Sequence, residues 1–390
     1  MKKVFAWCWR WIHHRLSIMR SALAVLLLLT SAAASSLAQV KPDRDYLVYV
    51  LSESADKIAI VRFGPDGARV DRQIDTGDMP IDIDGPHGIA ISPDRQFYYV
   101  TLAHGRPYGS VWKYATKDDS LIGKASLGLF PATLDITRDG AFLFVVNFNL
   151  HGDMVPSSVS VVSTQTMTEV ARLKTCTMPH GSRLNSSGTK QYSACMMDDM
   201  LVEIDTRSLK VTQQFALTKA DDATMKHSGG HGMEPPKPGD KSCSPTWAEP
   251  SVDGSSVYVA CNNSSEIVEV NTRDWQIARR IAARGGVYNL DVTHDGLRLI
   301  ATNKRDQSVS IYELKSGKEL VRLPTKRKVL HGVVVSPDDR YAFVTVEGIG
   351  SEPGTVEVID LAALKTVATV DVGPTAAGID FYKTEPLKKP

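Results

Sequence analysis

Short apolar runs alternate with polar turns along most of this chain, and the alternation repeats. In the clearest unit, PHGIAISPDRQFYYVTLA from Pro86, an apolar run, a polar turn and a second apolar run follow one another, and GSVWKYAT then supplies a third run. Runs of this length, rich in β-branched and aromatic residues and bounded by Gly, Pro, Asp and Ser, predict strands joined by tight turns. Related units begin at Pro131, Pro179, Pro245, Val287 and Leu330. A seventh is split. PTAAGIDFY from Pro374 supplies a first strand, and LVYVLSE from Leu47, KIAIVRF from Lys57 and ARVDRQIDT from Ala68 supply the other three.

The unit starts lie 42 to 66 residues apart, against the ~40–50 residues of a four-stranded propeller blade. The longest interval contains an insertion at 217–242 between the third and fourth complete blades. One blade cannot bury both of its faces, so radial stacking is the arrangement that gives a continuous core. The expected fold is therefore all-β, a seven-bladed β-propeller over residues 39–390 whose last blade pairs N-terminal strands with a C-terminal strand.

Residues 1–38 read as a signal peptide. Lys2, Lys3, Arg10, Arg15 and Arg20 form the basic part, Ala22–Leu29 the apolar part, and Ser36-Leu37-Ala38 a small-residue cleavage site. An uncleaved anchor is the competing reading, because Trp7, Trp9, Trp11 and Ile12 lengthen the apolar part. No other segment approaches the ~20 apolar residues of a helical span, so no membrane span is expected in the mature protein, and its expected location is the periplasm. Loss of the leader takes the formal charge from +1 to −4. A weakly acidic chain without basic runs argues against nucleic acid as a partner.

Cys8 leaves with the leader, and Cys176, Cys195, Cys243 and Cys261 remain. An even count in an exported chain suggests disulfides. Alignment of the units puts Cys195 and Cys261 at one repeat position and Cys176 and Cys243 at another, so the expected bonds are Cys176–Cys195 and Cys243–Cys261. Soft-metal ligation by free thiols near Met178, Met196 and Met197 is the alternative.

The SPD and DG turns followed by YVT, FVV, YVA and FVT strands resemble the bacterial YVTN-type β-propeller repeat family across nearly all of the mature chain. The resemblance implies the fold. It implies little about activity, because that family includes surface proteins, binding scaffolds and enzyme subunits.

The histidines are distributed unevenly over the repeat. His87, His180 and His331 stand at the start of the first strand in the first, third and sixth units, and His104 and His151 follow second strands. His227 and His231 fall in the insertion as possible lid ligands, and only His294 belongs to the opposite end of the ring. Seven of the eight histidines after the leader thus point to one mouth of the channel, together with Met154, Met178, Met196, Met197 and Met233. Imidazole with thioether favours copper, with zinc as the alternative. The expected ligands are His87, His180 and His331, with His104 and His151 as further ligands or proton carriers. Asp153, Arg183 and Glu347 are possible supports behind them, and Asp198, Asp199 and Glu249 further candidates at that end. In this one respect the chain is similar to periplasmic copper propeller enzymes such as nitrous-oxide reductase. The bland alternative is that each imidazole caps backbone groups in the channel.

No GxSxG elbow, phosphate-binding glycine loop, CxxCH haem site or HExxH helix is present. The first expectation is a metal-binding propeller, an oxidoreductase on a small substrate if it turns over, with an external electron carrier because no cupredoxin domain is recognisable. The second is a non-catalytic scaffold with a periplasmic protein partner. The third is a lactonase-like hydrolase.

Overall fold

A computed structural model describes residues 41–78, 82–104, 109–218 and 242–387. The leader at 1–38 and most of the insertion, with His227, His231 and Met233, lie outside the described residues.

Seven four-stranded antiparallel sheets form the ring. Their innermost strands are Pro86–Ile91, Pro131–Ile136, Pro179–Leu184, Pro245–Pro250, Val287–Val292, Val329–Val335 and Ala376–Pro386, which define blades 1 to 7. Blade 7 closes the ring as the split unit predicts: Ala376–Pro386 pairs with Arg44–Ser52, which continues to Lys57–Gly64 and Gly67–Asp75.

Arg44–Ser52 is apolar on both faces because both are covered. Tyr46, Val48 and Val50 pack with Tyr341, Phe343, Val356 and Val358 of blade 6. The intervening Leu47, Tyr49 and Leu51 pack with Tyr98, Val100 and Trp112 of blade 1. Outermost strands such as Lys318–Pro324 alternate exposed and half-buried residues instead, since one side meets water.

A recurrent threonine joins adjacent blades near the axis. Thr345 Oγ1 accepts from the Gly332 N–H of its own blade at 2.8 Å and donates to the Ala377 carbonyl of the next at 2.6 Å. Thr101 does the same with Gly88 and Ala132, and Thr302 with Asn289 and His331. This close approach explains the Pro-His-Gly signature. A Cβ on Gly88 would lie 2.2 Å from the Ala132 carbonyl oxygen, and one on Gly181 would lie 2.3 Å from that of Thr246.

Both expected disulfides are present, Cys176–Cys195 and Cys243–Cys261. Each bond flanks the hairpin of a blade's first two strands, Pro179–Leu184 with Lys190–Cys195 and Pro245–Pro250 with Ser256–Cys261. Cys176 belongs to the outermost strand of blade 2, Thr168–Thr177, so its bond to Cys195 on the second strand of blade 3 ties two blades together. Cys243 precedes the inner strand of blade 4 and fastens the end of the insertion to that blade.

Candidate active site at one mouth of the channel

Strand register defines two tiers of residues around this mouth. The lower tier is the second residue of each inner strand, the third in the longer Val329–Val335: His87, Ala132, His180, Thr246, Tyr288, His331 and Ala377. Seven bulky side chains cannot converge on one axis, and the tier interleaves large with small. The four large rings close on one another, with centroid separations of 5.1 Å for His87–His331, 5.3 Å for His331–Tyr288, 5.4 Å for Tyr288–His180 and 6.3 Å for His180–His87.

The small neighbours leave their carbonyls open to the imidazole before them. His87 Nδ1 lies 3.3 Å from the Ala132 oxygen, and His180 Nδ1 lies 2.9 Å from the Thr246 oxygen. Each Nδ1 therefore carries the proton and donates it, which leaves Nε2 as a bare acceptor. Tyr288 O–H donates to His180 Nε2 at 3.0 Å. His331 Nδ1 is buried without a partner among the described residues. A buried N–H without an acceptor is costly, which puts the proton of neutral His331 on Nε2. Burial disfavours charge on all three rings: His87 is shifted down, His331 well down, and His180 to about 3.

The upper tier is the residue after each second strand, or in blade 6 the last residue of the longer Tyr341–Glu347: Ala103, Phe148, Met196, Asn262, Lys304, Glu347 and Glu53. It divides into sectors. Ala103, Phe148 and Met196 of blades 1 to 3 join Phe130, Ala132 and Met178 in an apolar cluster. Lys304, Glu347 and Glu53 of blades 5 to 7 form a charged arc. Lys304 Nζ sits 3.6 Å from the centre of the Tyr288 ring and 3.9 Å from Glu347 Oε1. Burial lowers the Lys304 pKa against the pull of Glu347 and Glu53, and burial raises that of Glu347 to about 7 despite Lys304.

Glu53 belongs to both sides of the ring closure. Its Oε1 lies 2.7 Å from His104 Nε2, and its Oε2 lies 4.0 Å from His87 Nε2. Burial alone would raise the Glu53 carboxyl, yet His87 and His104 bring it below its ordinary value, while the bond to Glu53 raises His104. His151 is exposed, its ring 5.8 Å from that of His104, and both rest against Phe130 at 5.5 and 5.1 Å.

The structure thus gathers His87, His180, His331, His104, His151 and Glu347 at one mouth, as the repeat positions imply. Asp153 is exposed in the loop after His151. Asp198 and Asp199 accept the backbone N–H groups of Thr177 and Ser244, at 2.7 and 2.6 Å, which is loop support. Arg183 and Glu249 require correction. Both are fifth in their inner strands, three residues beyond the lower tier, a displacement of roughly 10 Å at ~3.3 Å per residue. Arg183 instead lies over Trp247 at 4.5 Å and 3.9 Å from Glu249, toward the other end of the channel. Asp135, Asp291 and Asp380 share that level and accept N–H groups of Leu184, Val335 and Ile91 in the following blade.

Among the described residues the ligand set for copper or zinc does not assemble. Both nitrogens of His180 are engaged, by Thr246 and Tyr288, and an imidazole needs a free nitrogen at about 2.0–2.1 Å to hold an ion. Among the described residues no three His, Cys, Asp or Glu side chains are placed to hold a metal. Met178 and Met196 serve the apolar cluster. Lys304, Glu53 and Tyr288 are the residues that histidine counting missed. Aligning every unit on the residue after its second strand would have exposed the Lys304, Glu347, Glu53 arc.

No family model and no curated protein matches the chain. Solved structures do match. The periplasmic gluconolactonase of Pseudomonas aeruginosa is 17% identical, covering 86% of this chain and 99% of its own, with a TM-score of 0.62. A putative 6-phosphogluconolactonase of Bacteroides uniformis is 13% identical, covering 87% and 99%, with a TM-score of 0.65. Hydrazine synthase of Kuenenia stuttgartiensis is 20% identical, covering 74% of this chain and 80% of that one, with a TM-score of 0.57. Identities this low establish the shared propeller fold. The two disulfides accord with an extracytoplasmic location, and no described helix is long and apolar enough to cross a membrane.

Proposed function

We propose that this propeller is an extracytoplasmic hydrolase that opens small cyclic esters at its imidazole mouth. The observation that carries the reading is the arrangement around His87. Its Nδ1–H is held by the Ala132 carbonyl, its Nε2 is a free acceptor, and Glu53, itself fixed by His104, waits 4.0 Å away. An imidazole kept neutral, held in one tautomer by a carbonyl at Nδ1 and faced at Nε2 by a carboxylate can serve as a general base.

In this reading His87 Nε2 takes a proton from water as the water oxygen attacks the ester carbonyl. Glu53 stabilises the imidazolium that forms. His331 lies beside His87 and donates its Nε2–H to the developing oxyanion, a role that a buried, neutral ring fills without reorganisation. The proton on His87 then passes to the leaving alkoxide as the ring opens. Burial of these rings excludes bulk water and strengthens each interaction. The lactonase names of two structural neighbours support this substrate class.

The test is a panel of five- and six-membered lactones followed by acid release at constant pH. His87→Gln keeps ring-sized bulk and a hydrogen-bond donor but removes the base, and it should lower kcat by about 10²–10⁴-fold. Turnover that survives the substitution, or no turnover by the unaltered protein on any lactone, overturns the reading.

A further inference from the structure

We propose that Lys304 is a carbonyl-reactive amine, capturing small aldehydes or ketones at the mouth as a Schiff base. The hydrolytic reading does not use this side chain, and the inference stands independently of it.

Position comes first. Lys304 is the only cation in the upper tier, where the equivalent residues are Ala103, Phe148, Met196, Asn262, Glu347 and Glu53. Its backbone N–H is tied to the Gly286 carbonyl at 2.8 Å, so the stem starts from a fixed point. The side chain then lies over the Tyr288 ring, and that ring is itself fixed by its bond to His180. Held there, the Lys304 side chain as a whole keeps 27% exposure. It is partly withdrawn from bulk water.

Chemistry follows from the surroundings. An ammonium is a poor nucleophile, and an amine acts as one when desolvation disfavours its charge. Lys304 faces three neutral imidazoles, a phenol face and two carboxylates, and burial outweighs the carboxylates. Glu347 at 3.9 Å supplies the second requirement, a carboxyl able to give and take a proton near neutral pH.

The step balances without a further reagent. The Nζ lone pair forms a bond to the carbonyl carbon, and the oxygen takes a proton from the Glu347 carboxyl. The nitrogen gives a proton back to Glu347. That proton then goes to the carbinolamine hydroxyl, which leaves as water while the nitrogen lone pair completes the C=N bond. Amine, carbonyl compound and the Glu347 carboxyl thus give a protonated imine, the Glu347 carboxylate and one water.

The experiment traps the imine in the full-length mature protein. Propanal or pyruvate is added at pH 7 with cyanoborohydride, and modified lysines are located and timed by peptide mass spectrometry. The expected result is alkylation of Lys304 at least ten-fold faster than of any other lysine. Glu347→Gln should slow Lys304 modification several-fold while surface lysines react as before, which separates proton transfer from mere exposure. Circular dichroism of Lys304→Arg checks that the fold is kept, and fast trapping should vanish from that variant. Equal labelling across the lysines, or fast labelling that persists in Lys304→Arg, overturns the proposal.

Discussion

Glu53 and His104 meet across the seam between the ring-closing blade and blade 1, carboxylate oxygen to ring nitrogen at 2.7 Å. The contact joins the two ends of the chain to the mouth: Glu53 follows the strand that pairs with the C-terminal strand, and its second oxygen faces His87. Glu53→Gln should therefore lower the pKa of His104, whose rise comes first from the bond to Glu53. A His with a raised folded pKa contributes stability that is full below about 6.5 and is lost as pH rises through the folded value. The variant should lose that low-pH contribution. Proton NMR titration of the His104 ring reads the pKa, and an unchanged value would refute the coupling.

The lower-tier imidazoles predict the opposite pH behaviour. His180 is pushed to about 3, and His87 and His331 are also lowered, in each case chiefly by burial. Their unfolded counterparts take up protons near 6.5, so the unfolded chain binds more protons as pH falls below that point. Their contribution is fully present above about 6.5 and declines as pH falls toward 3. Burial works the other way on Asp380, raised to about 7, and Asp291, raised to about 6, whose protonation favours the folded chain as pH falls. Comparison with a variant isolates the histidines. Thermal melts between pH 7 and 4.5 should show a shallower loss of Tm in His87→Gln/His180→Gln/His331→Gln than in the unaltered chain, and equal slopes would refute this account.

The ring itself was legible in the sequence because a blade leaves a period. The split unit gave the closure, and two cysteine positions gave both disulfides. Which histidines share a mouth was legible for the same reason, since equal repeat position means equal height on the axis. What those histidines do was not. Their partners are carbonyls of the next blade, such as that of Thr246, and a carbonyl has no sequence signature. Arg183 was placed at the wrong end for a different reason: nearness to His180 in sequence becomes distance along an extended strand. Tyr288 occupies a histidine position but was not counted as one, and that phenol is what engages His180 Nε2.

The inter-blade disulfide yields a stability prediction. Cys176–Cys195 closes a segment with a sequence separation of 19 and ties the outermost strand of blade 2 to blade 3. Constraint of the unfolded chain by a loop of this size is worth about 3 kcal/mol. Cys176→Ser/Cys195→Ser should lower the chemical-denaturation midpoint accordingly and loosen the blade 2 to blade 3 seam in hydrogen exchange, with blades 5 and 6 little affected. Uniform loss of protection around the ring would show that the blades do not open separately.

Thr345 offers the sharpest test of what holds adjacent inner strands together. Its hydroxyl serves two backbone groups at once, accepting from Gly332 N–H and donating to the Ala377 carbonyl, and the side chain is fully buried. Thr345→Val has nearly the same shape but leaves both groups without a partner where water cannot replace it. Each buried group left unsatisfied costs about 1–3 kcal/mol, so destabilisation should reach several kcal/mol. Thr345→Ser keeps the hydroxyl and loses only a methyl group, and should cost about 1 kcal/mol. Denaturation midpoints of the two variants decide the matter. If valine were tolerated as well as serine, packing of the methyl group would outweigh the paired hydrogen bonds, and the recurrence of threonine at positions 101, 302 and 345 would need another explanation.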